Sequence, residues 1–180
     1  MDRRQFMAGI GTIATVLPLG RAKADAAANR LLWLYNSNTR EEIRAQYVVG
    51  GSYRPTELRR LDLLMRDWRR NMYVPMDRRI FDILYVISLY SRTNRPIHVN
   101  SGYRTLETNA ELARSHEGVA VNSFHLYGRA ADIVVEGFDV RALRDLALSL
   151  GVGGVGYYPS KADGHGFVHV DTGPPREWQF

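Results

Sequence analysis

A chain of 180 residues that is 45% hydrophobic and 24% charged has the composition of one globular domain with a real core, which excludes whole-chain disorder. The absence of cysteine excludes structural disulfides, thiolate metal sites and cysteine nucleophiles, so any metal must be held by nitrogen and oxygen. The net charge of +5 points less strongly to an acidic partner than it first suggests, because its excess is concentrated at the N-terminus.

Residues 1–24 read as a targeting segment: Arg3 and Arg4 precede an apolar run from Phe6 to Leu19, and Ala22-Lys23-Ala24 offers small residues for cleavage. Arg3-Arg4 followed by Gln5-Phe6-Met7 resembles a bacterial twin-arginine signal, an address for export to the periplasm. An uncleaved anchor is the other reading, although the run is short for a span of about 20 residues, and no later stretch is apolar enough to cross a bilayer. Removal of residues 1–24 takes away four basic residues and one acidic residue and leaves a net charge of +2. The other basic cluster, Arg54, Arg59, Arg60, Arg66, Arg69 and Arg70, is interleaved with Leu and Asp at helical spacing. It reads as a solvated helix face, and no nucleic-acid motif accompanies it.

After a lead-in at 25–29, Leu31 to Tyr35 and Glu42 to Val48 are strand-like runs joined by the turn-rich Asn36-Ser37-Asn38-Thr39, which predicts a hairpin. Pro55 opens a helix that carries Leu58, Leu61, Leu64, Met65 and Trp68 at helical spacing, and a second helix is expected from Met76 to Tyr90 with Ile80, Leu84, Ile87 and Tyr90 on its apolar side. Ile97 to Asn100 reads as a buried strand and Ser101-Gly102-Tyr103-Arg104 as its exit loop, the kind of position where site residues are placed. A helix over Thr105 to Ser115, a strand at Ile133 to Val135, a helix over Val140 to Leu150 and strands at Val155 to Tyr158 and Phe167 to Asp171 complete the pattern. Arg176 and Trp178, after Pro174-Pro175, either cover a sheet edge or rim the site.

The chemistry concentrates in Ser123 to Asp132 and in Phe167 to Gly173. These segments offer His125, Asp132 and His169, two imidazoles and a carboxylate that can hold Zn2+ and leave a position open for water. A turn containing Gly128 lets His125 and Asp132 aim at one point. On a strand, Phe167, His169 and Asp171 share one face while Val168 and Val170 point to the core. The same donors suit a non-haem iron oxygenase, but only a single arginine suggests an oxoacid site. His98 and His116 read as structural, and Tyr157 and Tyr158 either wall the cleft or pack in the core.

The combination of SGYR, SFHLYGRAAD, GGVGYYP and FVHVDTG resembles the zinc metallopeptidases of the D-alanyl-D-alanine carboxypeptidase family, most nearly a murein endopeptidase branch. The resemblance covers nearly all of residues 25–180 as a single domain. It implies an α+β fold, a small antiparallel sheet with flanking helices forming a zinc cleft. The implied activity is hydrolysis of peptide cross-links in peptidoglycan, with stem peptides as partners and no stable membrane insertion after signal removal. A carboxypeptidase trimming uncrosslinked stems, or a metal-stabilised peptidoglycan-binding module without turnover, are the alternatives. Resembling enzymes place a catalytic histidine two residues before the last ligand or an acid three before it, where this chain has Phe167 and Gly166. Asp171, with its Cα about 6 to 7 Å from that of His169 on a strand, is therefore expected either to act as general base or to orient a ligand ring. His165, flanked by Gly164 and Gly166, is the other candidate base. Arg104, at the arginine position of SGYR, is expected to hold the scissile carbonyl or a substrate carboxylate.

Overall fold

The computed structural model describes residues 29–116, 118–151, 153–159 and 166–180; the export signal expected at 1–24 and the candidate base His165 lie outside them. The chain forms β1 (Arg30–Asn36), β2 (Glu42–Val49), β3 (Ser52–Tyr53), α1 (Pro55–Leu64), α2 (Arg78–Ser91), β4 (Ile97–Ser101), α3 (Leu106–Ser115), a single 3₁₀ turn (Phe124–Tyr127), β5 (Ala130–Val135), α4 (Val140–Ser149), β6 (Gly154–Tyr158), β7 (Phe167–Asp171) and β8 (Arg176–Gln179). The arrangement is α+β, as expected, but the sheet is larger and more mixed than a small antiparallel one. Eight strands run in the order β3-β2-β1-β4-β5-β7-β6-β8. The β1–β4 and β6–β8 junctions are parallel, and the other pairings are antiparallel. The parallel β1–β4 pairing is possible because α1 and α2 intervene and carry the chain back to the starting end of the sheet.

Local chemistry accounts for the helix boundaries. Pro55 starts α1 where its missing N–H would be unsatisfied anyway, and Asp77 caps α2 by accepting from the backbone N–H of Arg79 at 3.1 Å. The α1 helix stops at Leu64, short of the expected Trp68. There Asp67 takes the N–H of Arg69 and its backbone pairs with Met72, which gives the chain a turn in place of another helical one. Trp68 is left exposed, whereas Leu58, Leu61, Leu64 and Met65 are buried; in α2, Ile80, Leu84 and Ile87 are buried and Tyr90 is exposed.

Alternation along the central strands separates core from site. Ala131, Ile133 and Val135 of β5 and Val168 and Val170 of β7 join one apolar cluster with residues of α1, α2 and α4. Burial of each large aliphatic side chain there contributes about 1.5–3 kcal/mol before conformational entropy is counted. The intervening residues of the same strands, Asp132, His169 and Asp171, are buried polar groups on the other side of the sheet. In register, Asp132 lies opposite His169 and next to Ser101 of β4. No helix among the described residues is long and apolar enough to cross a membrane.

Candidate metal centre

Three elements supply the site. The 3₁₀ turn presents His125, with the Ser123 hydroxyl accepting from the His125 N–H at 3.3 Å and Gly128 closing the turn at φ +62°, where a side chain would be strained. β5 presents Asp132 and β7 presents His169. His125 Nε2 lies 3.1 Å from Asp132 Oδ1 and 3.2 Å from His169 Nδ1, and His169 Nδ1 lies 2.9 Å from Asp132 Oδ1. All three residues are buried. A tetrahedral ion with bonds of about 2.0–2.1 Å would hold its ligand atoms about 3.3 Å apart, so this triangle has the right size.

The outer edges of the two rings decide what the inner edges can do. His125 Nδ1 sits 2.5 Å from the carbonyl oxygen of Gly102, which can only accept, so that nitrogen carries the proton and Nε2 presents a lone pair. His169 Nε2 faces Asp171 Oδ2 at 3.1 Å and donates to it, leaving the lone pair on Nδ1. Two neutral imidazole lone pairs and a carboxylate oxygen therefore converge with no donor among them. Such an arrangement calls for a cation at its centre, and the donor set fits a metal ion.

Electrostatics agree with that reading. Burial, with the charge of Arg104 adding to it, pulls the pKa of His125 down to about 4. Burial alone would raise Asp132, but His125 and Arg104 hold it well below the usual carboxylate range. Burial also works against a charged His169, but hydrogen bonds to Asp132 and Asp171 outweigh it and raise its pKa. A proton entering the metal-free site therefore goes to His169 first, and a metal must displace it. The lowered His125 contributes stability that is present above its ordinary 6.5 and is lost as pH falls toward 4, while the raised His169 contributes stability that is already fully present below 6.5 and does not offset that loss. Asp132 and Asp171, both lowered from 3.8, lose their contribution only below that pH. In the presence of a chelator the metal-free protein should therefore melt at progressively lower temperature from pH 6.5 to about 4, and lose further stability below that as the carboxylates protonate. A melting temperature that stays level or rises between pH 6.5 and about 4.5 would contradict these signs.

Arg104 is at the centre rather than on the surface. Its Nε donates to Ser101 Oγ at 2.8 Å, its Nη2 donates to Asp132 Oδ2, and its side chain is 11% exposed. Asp132 thus turns one oxygen to the histidines and the other to Arg104. The SGYR loop is fixed by backbone bonds: Arg104 N–H donates to the His125 carbonyl at 3.1 Å and Tyr103 N–H to that of Met65 at 2.7 Å. A Cβ on Gly102 would lie 2.3 Å from the Met65 carbonyl oxygen. Gly102→Ala should therefore destabilise the protein by about 1–3 kcal/mol through overpacking, and weaken metal binding by moving the carbonyl that holds His125. A melt and a metal titration both matching wild type would contradict this.

Asp171 is fully buried and its oxygens are occupied. Oδ1 accepts from the Gly154 and Gly173 N–H groups at 2.9 and 2.8 Å and from Arg176 Nη1 at 3.1 Å, while Oδ2 accepts from Arg176 Nη2 at 2.6 Å and from His169. Tyr157 is buried in the core, but Tyr158 stacks on Phe167 with ring centres 4.3 Å apart and accepts from Trp178 Nε1 at 3.1 Å. His98 of β4 packs on Tyr35 of β1, and His116 at the end of α3 contacts the Ser115 hydroxyl. The last strand, β8, both extends the sheet beyond β6 and turns Arg176 and Trp178 toward the site. No periodic signal in PPREWQF announces that double role.

The family profile described as peptidoglycan L,D-endopeptidase MepK matches residues 24–178. The Escherichia coli K12 protein named peptidoglycan L,D-endopeptidase MepK is 39% identical over 180 residues, spanning 98% of this chain and 97% of its own. A Haemophilus influenzae protein named as a probable peptidoglycan L,D-endopeptidase MepK is 37% identical over 182 residues, spanning 99% and 96%. The crystal structure of Serratia marcescens L-Ala D-Glu endopeptidase ChiX aligns with a TM-score of 0.37 and 21% identity over 54% of this chain and 80% of its own, too distant to add to the assignment. With both relatives matched almost end to end, the chain is a peptidase of the peptidoglycan L,D-endopeptidase MepK family.

Proposed function

We propose that the protein is a zinc-dependent murein endopeptidase that hydrolyses peptide bonds of L,D configuration in peptidoglycan and so opens cross-links between stem peptides. The observation that carries this reading is the convergence of the His125 Nε2, His169 Nδ1 and Asp132 Oδ1 lone pairs within 2.9 to 3.2 Å of one another. Membership of the family supports the substrate class. When bound there, zinc supplies Lewis-acid polarisation of the scissile carbonyl and an acidified water at neutral pH.

The chain's own residues do the rest. Arg104, anchored by Ser101 and Asp132, has further N–H groups without a partner among the described residues, and these donate to the scissile carbonyl oxygen as charge develops on it. Asp171 accepts a hydrogen bond from His169 Nε2–H and fixes the ring so that Nδ1 faces the centre. Because hydrogen bonds already occupy both of its oxygens, Asp171 is the orienting residue, which leaves His165 as the remaining candidate for the general base. Arg3 and Arg4 support delivery to the periplasm by the twin-arginine route, where the substrate lies.

Digestion of purified cross-linked peptidoglycan, with products read by mass, tests the proposal. Split dimers are the expected outcome. Released single D-amino acids from uncrosslinked stems would mean a carboxypeptidase instead, and intact cross-links with metal bound would overturn turnover altogether.

A further inference from the structure

We propose that Arg176 is a positioning residue for the metal centre, holding the His169 ring through Asp171 and the His125 turn through Phe124. The inference rests on the metal reading above and extends it one layer outward. Arg176 grips both oxygens of Asp171, Nη1 to Oδ1 at 3.1 Å and Nη2 to Oδ2 at 2.6 Å, and Oδ2 in turn accepts from His169 Nε2 at 3.1 Å. A carboxylate that holds a ligand imidazole works only while its own rotamer is fixed, and a two-pronged guanidinium fixes both oxygens in one plane. The guanidinium carbon also sits 5.0 Å from the ring centres of both Phe124 and Trp178. Phe124 immediately precedes His125 on the 3₁₀ turn, and the Trp178 ring centre lies 5.1 Å from that of His169. One side chain on the last strand therefore touches the supports of two ligands contributed by separate elements.

Its side chain is 39% exposed, so screened charge attraction to Asp171 is a weak reason for its presence as a stabiliser. Geometry is the better reason. A lysine at this position would keep the charge but lose the fork and the flat face that stacks on Phe124 and Trp178.

The test is a cobalt(II) titration of the metal-free protein, followed by its visible absorption, with thermal melts of each metal-free variant alongside. Arg176→Met should weaken cobalt binding about 10- to 100-fold, the range for residues that orient metal ligands, and Arg176→Lys should fall between it and wild type. Glu177→Gln, on the opposite face of β8, should bind as wild type does. In an Asp171→Asn background, Arg176→Met should add less than its full factor, because the route through Asp171 to the His169 ring is already lost and only the contact with Phe124 remains. Wild-type affinity in Arg176→Met, or its full factor recurring on top of Asp171→Asn, would overturn the proposal. If Arg176→Met does not fold, Arg176→Lys decides: weaker binding with an unchanged melt supports the proposal, and wild-type binding overturns it. Wild-type protein that takes up no cobalt would instead overturn the metal reading, and this inference with it.

Discussion

Asp132→Ala should lose its metal and, with it, turnover, lowering kcat/KM by at least about 1,000-fold, well beyond the 10- to 100-fold typical of residues that only orient ligands. Asp132 is the one anionic member of the trio, and its Oδ1 is within 3.1 Å of both inner ring nitrogens. Without it, two neutral imidazoles remain to hold a dication. The variant has a second consequence, because Arg104 donates to Asp132 Oδ2 and the two side chains are only 11% and 7% exposed. Removing one partner of a buried pair leaves an uncompensated charge, so the metal-free variant should be destabilised by about 3 kcal/mol. Asp132→Asn separates the effects: it keeps an oxygen for Arg104 and much of the stability while still binding metal poorly. Wild-type metal content in either variant would contradict the assignment.

Arg104→Ala is expected to behave differently. If the guanidinium stabilises charge on the scissile carbonyl oxygen, kcat should fall about 100- to 1,000-fold, equivalent to about 2.7–4 kcal/mol of transition-state stabilisation. Metal content should stay at wild-type level or bind more tightly, because Asp132 loses a competing cation while its Oδ1 still faces the histidines. Arg104→Lys should recover only part of the rate, since an ammonium cannot hold Ser101, Asp132 and substrate in one plane. Metal assays and steady-state kinetics on the same preparations check this. A fall in kcat that tracks metal loss would make Arg104 a support for Asp132 and nothing more.

The trio of ligand candidates was legible in the sequence for a physical reason. Strand alternation alone puts His169 and Asp171 on one side of β7 with Val168 and Val170 on the other, and the structure places them so. The turn at Gly128 likewise had a local cause. What was not legible depends on partners far away in the chain. The early end of α1 is set by Asp67, whose other oxygen takes the N–H and hydroxyl of Thr105, 38 residues on. The parallel pairing of β8 with β6 follows from where the chain returns after Pro174-Pro175, which no local pattern encodes. Both roles open to Asp171 are compatible with its spacing from His169; they differ in whether its oxygens are open toward the centre or filled by hydrogen bonds from distant residues. Arg176 was recognisable only as a charge near the last strand until its fork was seen on Asp171.

The most direct test of the central claim is metal content by elemental analysis, measured together with cleavage of cross-linked muropeptides, on the wild-type protein and on His169→Ala. The account predicts about one zinc per chain and split cross-links for wild type, with both lost in the variant. Cleavage that persists in metal-free His169→Ala would contradict it.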